Sequence, residues 1–399
     1  MKIVMLGQKG LPARSGGIER HVESLAKGMV ERGHQVIVFG RRWYVGEMTA
    51  PHGIEQRFSP GIHTKHLDAI THSFTALWQS RALRPDILHI HGVGIALLAP
   101  LARLLLPHTK LVVTFHCMDR RFSKWGWFAR TMFHLGEWLT CLFAHEVITV
   151  SQELAQYCAT EYGRRAHYIS HAFAQDTAPV KNLAEREATV SGLGLTPYRY
   201  FLFVGRLLPH KGAHRLLEAF TWAKARYPVA FSDASVALVG GASFTDTYAQ
   251  EVLRQAEGIE GVHVLGERFE HELTSLQSCA LAHVFPTTEE GLSLAVLEAA
   301  HSGRPVISHQ LPANEEATGG HAFSLDACSV EALGMGLYHL LTLPESERQA
   351  QGKALQGYVA YAYSAVANTD KLDRLYRSLV EGDEVLVTPL LGSTYKMAA

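Results

Sequence analysis

The sequence predicts an α/β protein with two Rossmann-like domains whose parallel sheets face each other across a central cleft. Length is the first reason, because 399 residues exceed what one ordinary core holds. The second is that short β-rich apolar runs alternate with longer segments of helical period, in two blocks separated by a polar stretch. Open parallel sheets bind ligands beyond the carboxyl ends of their strands, so we expect the functional residues directly after strands.

The first block, residues 1–175, is predicted to form the N-terminal domain. Its first helix shows the expected pattern, because apolar residues from Ile18 to Met29 recur on one face and Gly33 ends the helix. Helices are expected between strands, which we predict at 3–6, 35–39, 87–90, 111–115, 146–150 and 167–169.

Polar and small residues predict a linker over 176–196, and the alternation then restarts in a C-terminal domain over 197–365. We predict its strands at 200–204, 236–239, 262–265, 282–285 and 305–307, and its helices at 213–227, 248–256, 271–278 and 294–302. A late amphipathic helix over 366–381 is expected to pack back on the N-terminal domain, and 382–399 to form a tail.

Bulk composition excludes several classes of protein. The 37 basic and 38 acidic residues nearly balance, which gives no support for a nucleic-acid partner. The five cysteines are scattered without a Cys-x-x-Cys spacing, so we expect neither a disulfide framework nor a zinc site of cysteines, and a reducing cytoplasm fits best. The most apolar stretch, 92–107, is shorter than the roughly 20 residues that span a bilayer.

The richest motif lies after the strand predicted at 282–285. A glycine-containing turn with Gly291 and Leu292 leads into a helix that begins near Ser293, and the free amides of such a helix attract phosphate. Glu290 precedes this helix, where a carboxylate accepts hydrogen bonds from sugar hydroxyls, and Glu298 lies about two turns on, where it can reach a ribose. By spacing alone, a helix cap and an exposed helical charge are an equally good interpretation.

A second motif follows the first strand of the C-terminal domain. Arg206 and Lys211 place two cations on a loop that leads into a helix, where they can neutralise the growing charge of a diphosphate leaving group. A solvated pair of cations is the alternative interpretation of these two residues.

Two weaker signals lie in the N-terminal domain. Gly16 and Gly17 permit close backbone approach of a phosphate or an acceptor oxygen to the first helix, although the loop lacks the Gly-x-Gly-x-x-Gly order of dinucleotide enzymes. His116 follows the strand at 111–115, with Asp119 beside it, and His89 and His91 flank another strand end as supporting candidates. An isolated histidine is more often structural than catalytic.

The two C-terminal motifs together resemble the retaining glycosyltransferases of family 4, which have the two-domain GT-B fold. Glu290 and Glu298 match the family's E-x7-E signature, which continues here into Gly303-Arg304-Pro305-Val306, and 205–212 match Gly-Arg-Leu-x-Pro-x-Lys-Gly. The resemblance implies that Glu290 contacts the donor sugar, Glu298 the ribose, Arg206 and Lys211 the pyrophosphate, and His116 the region of the transferred sugar. It also implies retention of anomeric configuration, an acceptor-side N-terminal domain and a nucleotide-sugar-binding C-terminal domain.

Further segments look like a bacterial subgroup that includes rhamnosyltransferases of capsule, exopolysaccharide and O-antigen assembly: 10–13, 16–21, 65–68, 122–126 and 135–138. The implied partners are a nucleotide-sugar donor and a glycan or undecaprenyl-diphosphate-linked acceptor. Deoxythymidine-linked rhamnose is the first candidate donor, with uridine-linked galactose, glucose or N-acetylglucosamine as alternatives. The chain departs from the pattern at Ile169-Ser170-His171-Ala172-Phe173, where many relatives carry Asn-Gly-Val, so His171 receives no role.

No Asp-x-Asp pair occurs in the chain, so we expect no metal and no other cofactor. Cations and aromatics are mixed over 120–130, which suits peripheral contact with the inner face of the cytoplasmic membrane. The alternative is a solvated loop before a core helix, because apolar residues from Phe128 to Leu142 keep helical spacing. Rival functions are a non-catalytic sugar-nucleotide-binding assembly protein, and a GT-B epimerase or phosphorylase.

Overall fold

A computed structural model describes residues 1–14, 16–64, 67–122, 125–171, 182–241 and 246–382. The chain divides into two compact units. Unit 1 comprises Met1–Ala174 and Tyr363–Ala399, and unit 2 comprises Gln175–Ala362. Each unit contains an open parallel sheet with helices between its strands, so the predicted α/β class with two Rossmann-like domains is confirmed.

Within the described residues, the sheet of unit 1 has seven strands in the order β3-β2-β1-β4-β5-β6-β7. The strand at one edge, β3, was not predicted, because Glu55, Gln56 and Arg57 interrupt its apolar pattern and it stays partly exposed. The strands are β1 Lys2–Leu6, β2 Gln35–Gly40, β3 Ile54–Phe58, β4 Ile87–His91, β5 Lys110–Phe115, β6 Glu146–Thr149 and β7 His167–Tyr168.

The helices of unit 1 up to residue 171 connect these strands. Helix α1 buries Val22, Leu25 and Met29 against the sheet, as its apolar period predicts. The helices are α1 Gly17–Glu31, α2 Arg42–Val45, α3 Asp68–Leu83, α4 Ala99–Leu105, α5 Trp127–Phe143 and α6 Gln152–Tyr162.

Unit 2 has six strands among the described residues, in the order β10-β9-β8-β11-β12-β13. The edge strand β13 was missed because it is only three residues long. The strands are β8 Tyr200–Val204, β9 Ser235–Val239, β10 Val262–Gly266, β11 Ala282–Phe285, β12 Val306–His309 and β13 Phe323–Leu325. The helices are α7 Leu183–Gly192, α8 Ala213–Arg226, α9 Asp246–Glu257, α10 Glu270–Ser278, α11 Leu294–His301, α12 Pro312–Thr318, α13 Val330–Thr342 and α14 Glu345–Ala362.

Part of the expected linker, 176–196, is helix α7, which packs against α10. The side chain of Asn182 caps this helix by accepting a hydrogen bond from the amide of Glu185 at 2.9 Å. The polar composition that suggested a linker reflects a helix that buries little beyond Val190. Residues 176–181 lie outside the described part of the chain, as does the expected tail beyond Gly382.

The last helix, α15 Ala365–Glu381, belongs to unit 1 and packs on α1. Leu372, Leu375 and Tyr376 are buried in the same core cluster as the apolar face of α1. The two backbones approach closely, because a Cβ at Gly28 of α1 would overlap the side chain of Thr369.

Strand order locates the crevices of both sheets. In unit 2 the chain runs from β8 to β10 in one direction and then returns to β11, on the other side of β8. The same reversal separates β1 from β4 in unit 1. At such switch points the loops after neighbouring strands diverge and leave space for a ligand.

Candidate functional site

The switch point of unit 2 brings together two of the predicted site residues. Lys211 lies in a short 3-10 turn after β8, and Glu290 lies in the loop after β11. The ammonium Nζ of Lys211 donates a hydrogen bond to Oε1 of Glu290, and both side chains are largely buried. A cation and a carboxylate therefore meet at the position where sheets of this type bind ligands.

Close packing and hydrogen bonds connect the loop after β8 to the loop after β11. Gly212 has a φ of +76°, and a Cβ there would overlap the carbonyl oxygen of Pro286. The amide of Thr288 donates to the carbonyl of His210 at 2.9 Å, and Arg215 Nη1 donates to the carbonyl of Pro286 at 2.9 Å. The ends of β8 and β11 are therefore tied by groups that sequence analysis did not single out.

Helix α11 begins at Leu294, close to the predicted start. Its N-cap, Ser293, is buried and no side chain caps the first turn, so the leading amides keep their capacity for an anion. Gly291 and Leu292 are buried in the turn before it. Glu298 lies half-buried in the second turn of the helix, as its spacing predicts.

Arg206 is exposed and is not brought into contact with Lys211 or Glu290. Across the described residues, its guanidinium forms no hydrogen bond or ion pair. Arg206 follows Gly205 in the loop after β8. The loop after β9 packs closely against this loop, since a Cβ at Gly240 would overlap the carbonyl oxygen of Gly205. The backbone that carries Arg206 is therefore in contact with the loop after β9.

The glycine loop of unit 1 has a different local partner. Gly16 adopts a φ of +102°, and Gly17 is the first residue of α1. The carboxylate of Glu19 lies against Gly16, where a Cβ would overlap it, and accepts a hydrogen bond from the amide of Lys9 at 3.0 Å. A carboxylate of the chain itself therefore lies at the helix end where a ligand phosphate was predicted.

Four histidines cluster at the carboxyl edge of the unit 1 sheet. His91 ends β4 and His116 follows β5, with His91 Nδ1 3.3 Å from His116 Nε2. The ring of His21 on α1 lies 5.1 Å from that of His116, centroid to centroid. His171 stacks on His116 at 5.4 Å and contacts His21 at 4.7 Å. Sequence analysis missed His21, whose signal is its place on the apolar face of α1.

Burial is the main cause that holds the pKa of His21, His91 and His116 well below its usual range. Repulsion from His171 is the next cause for His21 and His116, and repulsion from His89 is the next for His91. These imidazoles are therefore neutral at neutral pH.

A chain of hydrogen bonds fixes His89 beneath this cluster. Its Nε2 lies 2.7 Å from the hydroxyl of Thr114, and its Nδ1 lies 2.6 Å from the hydroxyl of Tyr376 on α15. The rings of His89 and His91 are 4.0 Å apart. Both nitrogens of His89 are satisfied, which supports the structural interpretation of this residue.

Helix α5 presents an exposed apolar face. Trp127 is 79% exposed and Phe128 62%, and Leu135, Trp138 and Leu142 are also exposed. The alternative that 128–142 form a core-facing stripe is wrong for these positions. The buried side of the helix is polar instead: Glu137 is fully buried and accepts hydrogen bonds from Tyr157 and Tyr162 at 2.7 Å each.

The cations of the 120–130 segment divide into two groups. Arg120 is used internally, because its Nε lies 3.1 Å from a carboxylate oxygen of Glu137. Arg121 and Arg130 are exposed, and Ser123 and Lys124 lie outside the described residues. Among the helices that the structure describes, none has both the length and the apolar character of a membrane span.

Both units match known protein families. Residues 15–173 match the model of Glycosyltransferase Family 4, and residues 198–342 match that of Glycosyl transferases group 1. D-rhamnosyltransferase WbpZ of Pseudomonas aeruginosa is 29% identical over 190 residues, and the match covers 46% of each chain, so it spans about half the length of that relative. A glycogen synthase of Mycobacterium tuberculosis is 23% identical over 339 residues, or 78% of each chain.

Solved structures share the fold. The Anabaena protein HepE, in complex with UDP and glucose, superposes with a TM-score of 0.76 at 20% identity over 95% of this chain and 100% of its own. Sucrose-phosphate synthase of Thermosynechococcus elongatus gives a TM-score of 0.77 at 18% identity over 96% of this chain and 100% of its own.

Proposed function

The chain belongs to the GT-B glycosyltransferases of the family 4 type, and on that premise we propose that it transfers a sugar from a nucleotide-diphosphate donor to a glycan or lipid-linked acceptor. The observation that carries the proposal is the ion pair between Lys211 and Glu290 at the switch point of unit 2. A cation for the diphosphate and a carboxylate for the sugar are needed side by side, because these two parts of the donor are directly bonded.

The reaction needs stabilisation of a leaving group. As the bond between the anomeric carbon and the β-phosphate oxygen breaks, negative charge grows on the diphosphate, and Lys211, Arg206 and the leading amides of α11 would stabilise it. Glu290 would accept hydrogen bonds from the sugar hydroxyls, and Glu298 from the ribose. The acceptor oxygen bonds to the anomeric carbon on the same face, and its proton passes to the departing phosphate oxygen, so configuration is retained.

In the free chain, the ion pair keeps both groups in place before the donor arrives. The diphosphate competes with Glu290 for the ammonium of Lys211, and the carboxylate is then free to bind sugar hydroxyls. Positioning of this kind lowers the barrier because less reorganisation is left for the reacting complex. Two cationic side chains supply the charge that a divalent ion supplies elsewhere, so the diphosphate site is proposed to work without metal.

The proposed acceptor is lipid-linked, and its support is the exposed face of α5. Trp127 and Phe128 with Arg121 and Arg130 combine apolar rings and cations, which suits the surface of an anionic membrane. Undecaprenyl-diphosphate glycans are therefore the first acceptors to test. The named rhamnosyltransferase relative favours a rhamnose donor, ahead of uridine-linked hexoses.

A two-step experiment tests the function. Nucleotide sugars are first screened for a thermal shift of the purified chain, and each binder is then incubated with undecaprenyl-diphosphate glycans. The expected result is a glycan extended by one sugar with the anomeric configuration of the donor. Binding without any turnover favours an assembly protein, an altered donor without acceptor favours an epimerase, and a requirement for free phosphate favours a phosphorylase; each outcome overturns the proposal.

A further inference from the structure

We propose that His21, His91 and His116 form a three-histidine binding site for a divalent metal ion of the zinc class. The site lies wholly in unit 1, at the carboxyl edge of its sheet, and goes beyond the proposed transferase function. One ring nitrogen from each histidine lies within 4.8 Å of the others. All three side chains are buried, with exposures of 1%, 2% and 7%.

His21 has unsatisfied polarity. As far as the described residues go, neither ring nitrogen of His21 has a hydrogen-bond partner. A buried polar atom without a partner is costly, so the two nitrogens of His21 indicate a missing ligand. An ion bound by Nδ1 of His91 and Nε2 of His116 would replace the hydrogen bond that these two atoms share and would give His21 a partner.

The spacing of the nitrogens fits a tetrahedral ion. A tetrahedral zinc ion with bonds of about 2.0–2.1 Å to imidazole holds its ligand nitrogens ~3.4 Å apart. His91 Nδ1 and His116 Nε2 are already 3.3 Å apart. One nitrogen of His21, on α1, lies within 4.8 Å of the ligand nitrogens of His91 and His116, so a small shift of its ring would complete the triangle.

The chemistry of the donor set selects the class of metal. Imidazole nitrogens suit zinc, cobalt, nickel and copper, whereas magnesium and calcium prefer oxygen ligands. The nearby carboxylate of Glu19 is directed to Gly16 and the amide of Lys9 instead. His171 packs on His21 and His116, so this chain offers a fourth imidazole at the edge of the site.

The proposed metal site gives His116 a role that differs from the predicted one. The family resemblance implies a contact with the transferred sugar, whereas the cluster makes His116 a metal ligand through one of its nitrogens. Metal content can be measured without donor or acceptor, so failure of the metal site and failure of the transferase function are distinguishable.

The experiment titrates the chelator-stripped full chain with Co²⁺, a spectroscopic probe of tetrahedral zinc sites. A second group of potential ligands, His309, Asp326 and Cys328, is half-buried to exposed and must be silenced, so every protein carries Cys328→Ser. We expect one Co²⁺ per chain, visible absorption typical of tetrahedral nitrogen ligands, displacement by Zn²⁺ and a raised thermal midpoint.

Three matched variants decide the assignment. His21→Gln and His91→Gln should each weaken Co²⁺ binding by more than about 100-fold, since loss of an outer-sphere partner alone costs about 10–100-fold. The control is His283→Gln in unit 2, a fully buried histidine whose Nε2 already contacts Gln277 and Ser302, and it should bind as the parent does. Circular dichroism of each stripped variant shows whether it is folded.

Two results would overturn the proposal. The first is a folded chain that binds no Co²⁺ or Zn²⁺ at micromolar concentration, which leaves water as the ligand of the orphaned nitrogens. The second is binding that persists in both His21→Gln and His91→Gln, which places the ion elsewhere. If His91→Gln does not fold, His21→Gln carries the test.

Discussion

The ammonium of Lys211 is ion-paired with the carboxylate of Glu290, although 79 residues separate them in the sequence. The pairing follows from strand order, because β8 and β11 are neighbours in the sheet and their carboxyl ends open into adjacent loops. Lys211 belongs to the motif assigned to the diphosphate, and Glu290 to the motif assigned to the sugar. Two residues of the proposed donor site are therefore in contact in the free chain.

Replacing Glu290 by Gln should lower kcat/KM by at least about 100-fold, because a neutral amide accepts weaker hydrogen bonds from the sugar hydroxyls in the transition state than a carboxylate does. The fold should survive, since glutamine has nearly the size of glutamate and its carbonyl oxygen can still accept the hydrogen bond from Lys211. Donor consumption, followed by chromatography of the released nucleotide, checks the result. Glu289→Gln is the matched control one position earlier and should stay within a few-fold of the parent. Equal activity of both variants contradicts the role of Glu290.

Gly212→Ala should destabilise the chain more than Gly320→Ala. The two glycines have almost the same backbone, with φ of +76° and +77°, so the alanine strain is shared. Only at Gly212 would the Cβ overlap the carbonyl oxygen of Pro286, because the space beside Gly320 is open. We expect an extra loss of about 1–3 kcal/mol in urea unfolding, together with reduced activity. Matching losses would show that the loop contact is unimportant.

Vesicle binding should depend on the exposed rings of α5. Trp127→Glu together with Phe128→Glu should weaken co-sedimentation with vesicles rich in phosphatidylglycerol about 10-fold or more, since two anchors are removed and two negative charges added. Tyr361→Glu is the control, because Tyr361 is an aromatic residue of unit 2 with 88% exposure. An unchanged double variant, or no preference for anionic over neutral vesicles, argues against membrane contact.

The free energy of unfolding should decrease when the pH falls below the ordinary pKa of histidine. Burial lowers the pKa of His283 to about 3, and burial followed by repulsion from Arg41 lowers that of His72 to about 4. The unfolded chain takes up protons near pH 6.5, so stability is full above that pH and falls as pH drops through it toward the folded pKa. Each residue should cost about 2 kcal/mol at about pH 5.

Urea unfolding in the presence of a chelator, at about pH 7 and about pH 5, measures this loss. His283→Gln removes one titrating group, so its unfolding free energy should fall by about 2 kcal/mol less than that of the parent between the two conditions. Parallel decreases in parent and variant would mean that His283 is already protonated in the folded chain.

The central strands were predictable because their cores are continuous apolar runs, as in 3–6 and 200–204, and only the short or polar edge strands β3 and β13 were missed. Motif spacing predicts candidate residues for the donor site, but it does not predict their contacts. That Lys211 meets Glu290 while Arg206 does not depends on strand order and loop geometry.

Two other features lay beyond sequence analysis for a similar reason. The histidine cluster joins residues 21, 91, 116 and 171, which no local pattern connects. The face of α5 that is buried carries Glu137, and its exposed face is apolar. The helical period predicts an apolar stripe on α5, but it does not predict which face of the helix is buried. The buried face is the one with Glu137, because Tyr157 and Tyr162 donate hydrogen bonds to its carboxylate.

The most direct test of the donor site is calorimetric titration of a nucleoside diphosphate, UDP or deoxythymidine diphosphate, into the chain in the presence of a chelator. We expect binding without metal, weakened about 10- to 100-fold by Lys211→Met, because a charged hydrogen bond of about 1.5–3 kcal/mol is lost. Lys211→Arg should recover part of the affinity. The account is contradicted if neither nucleotide binds, or if Lys211→Met binds as tightly as the parent.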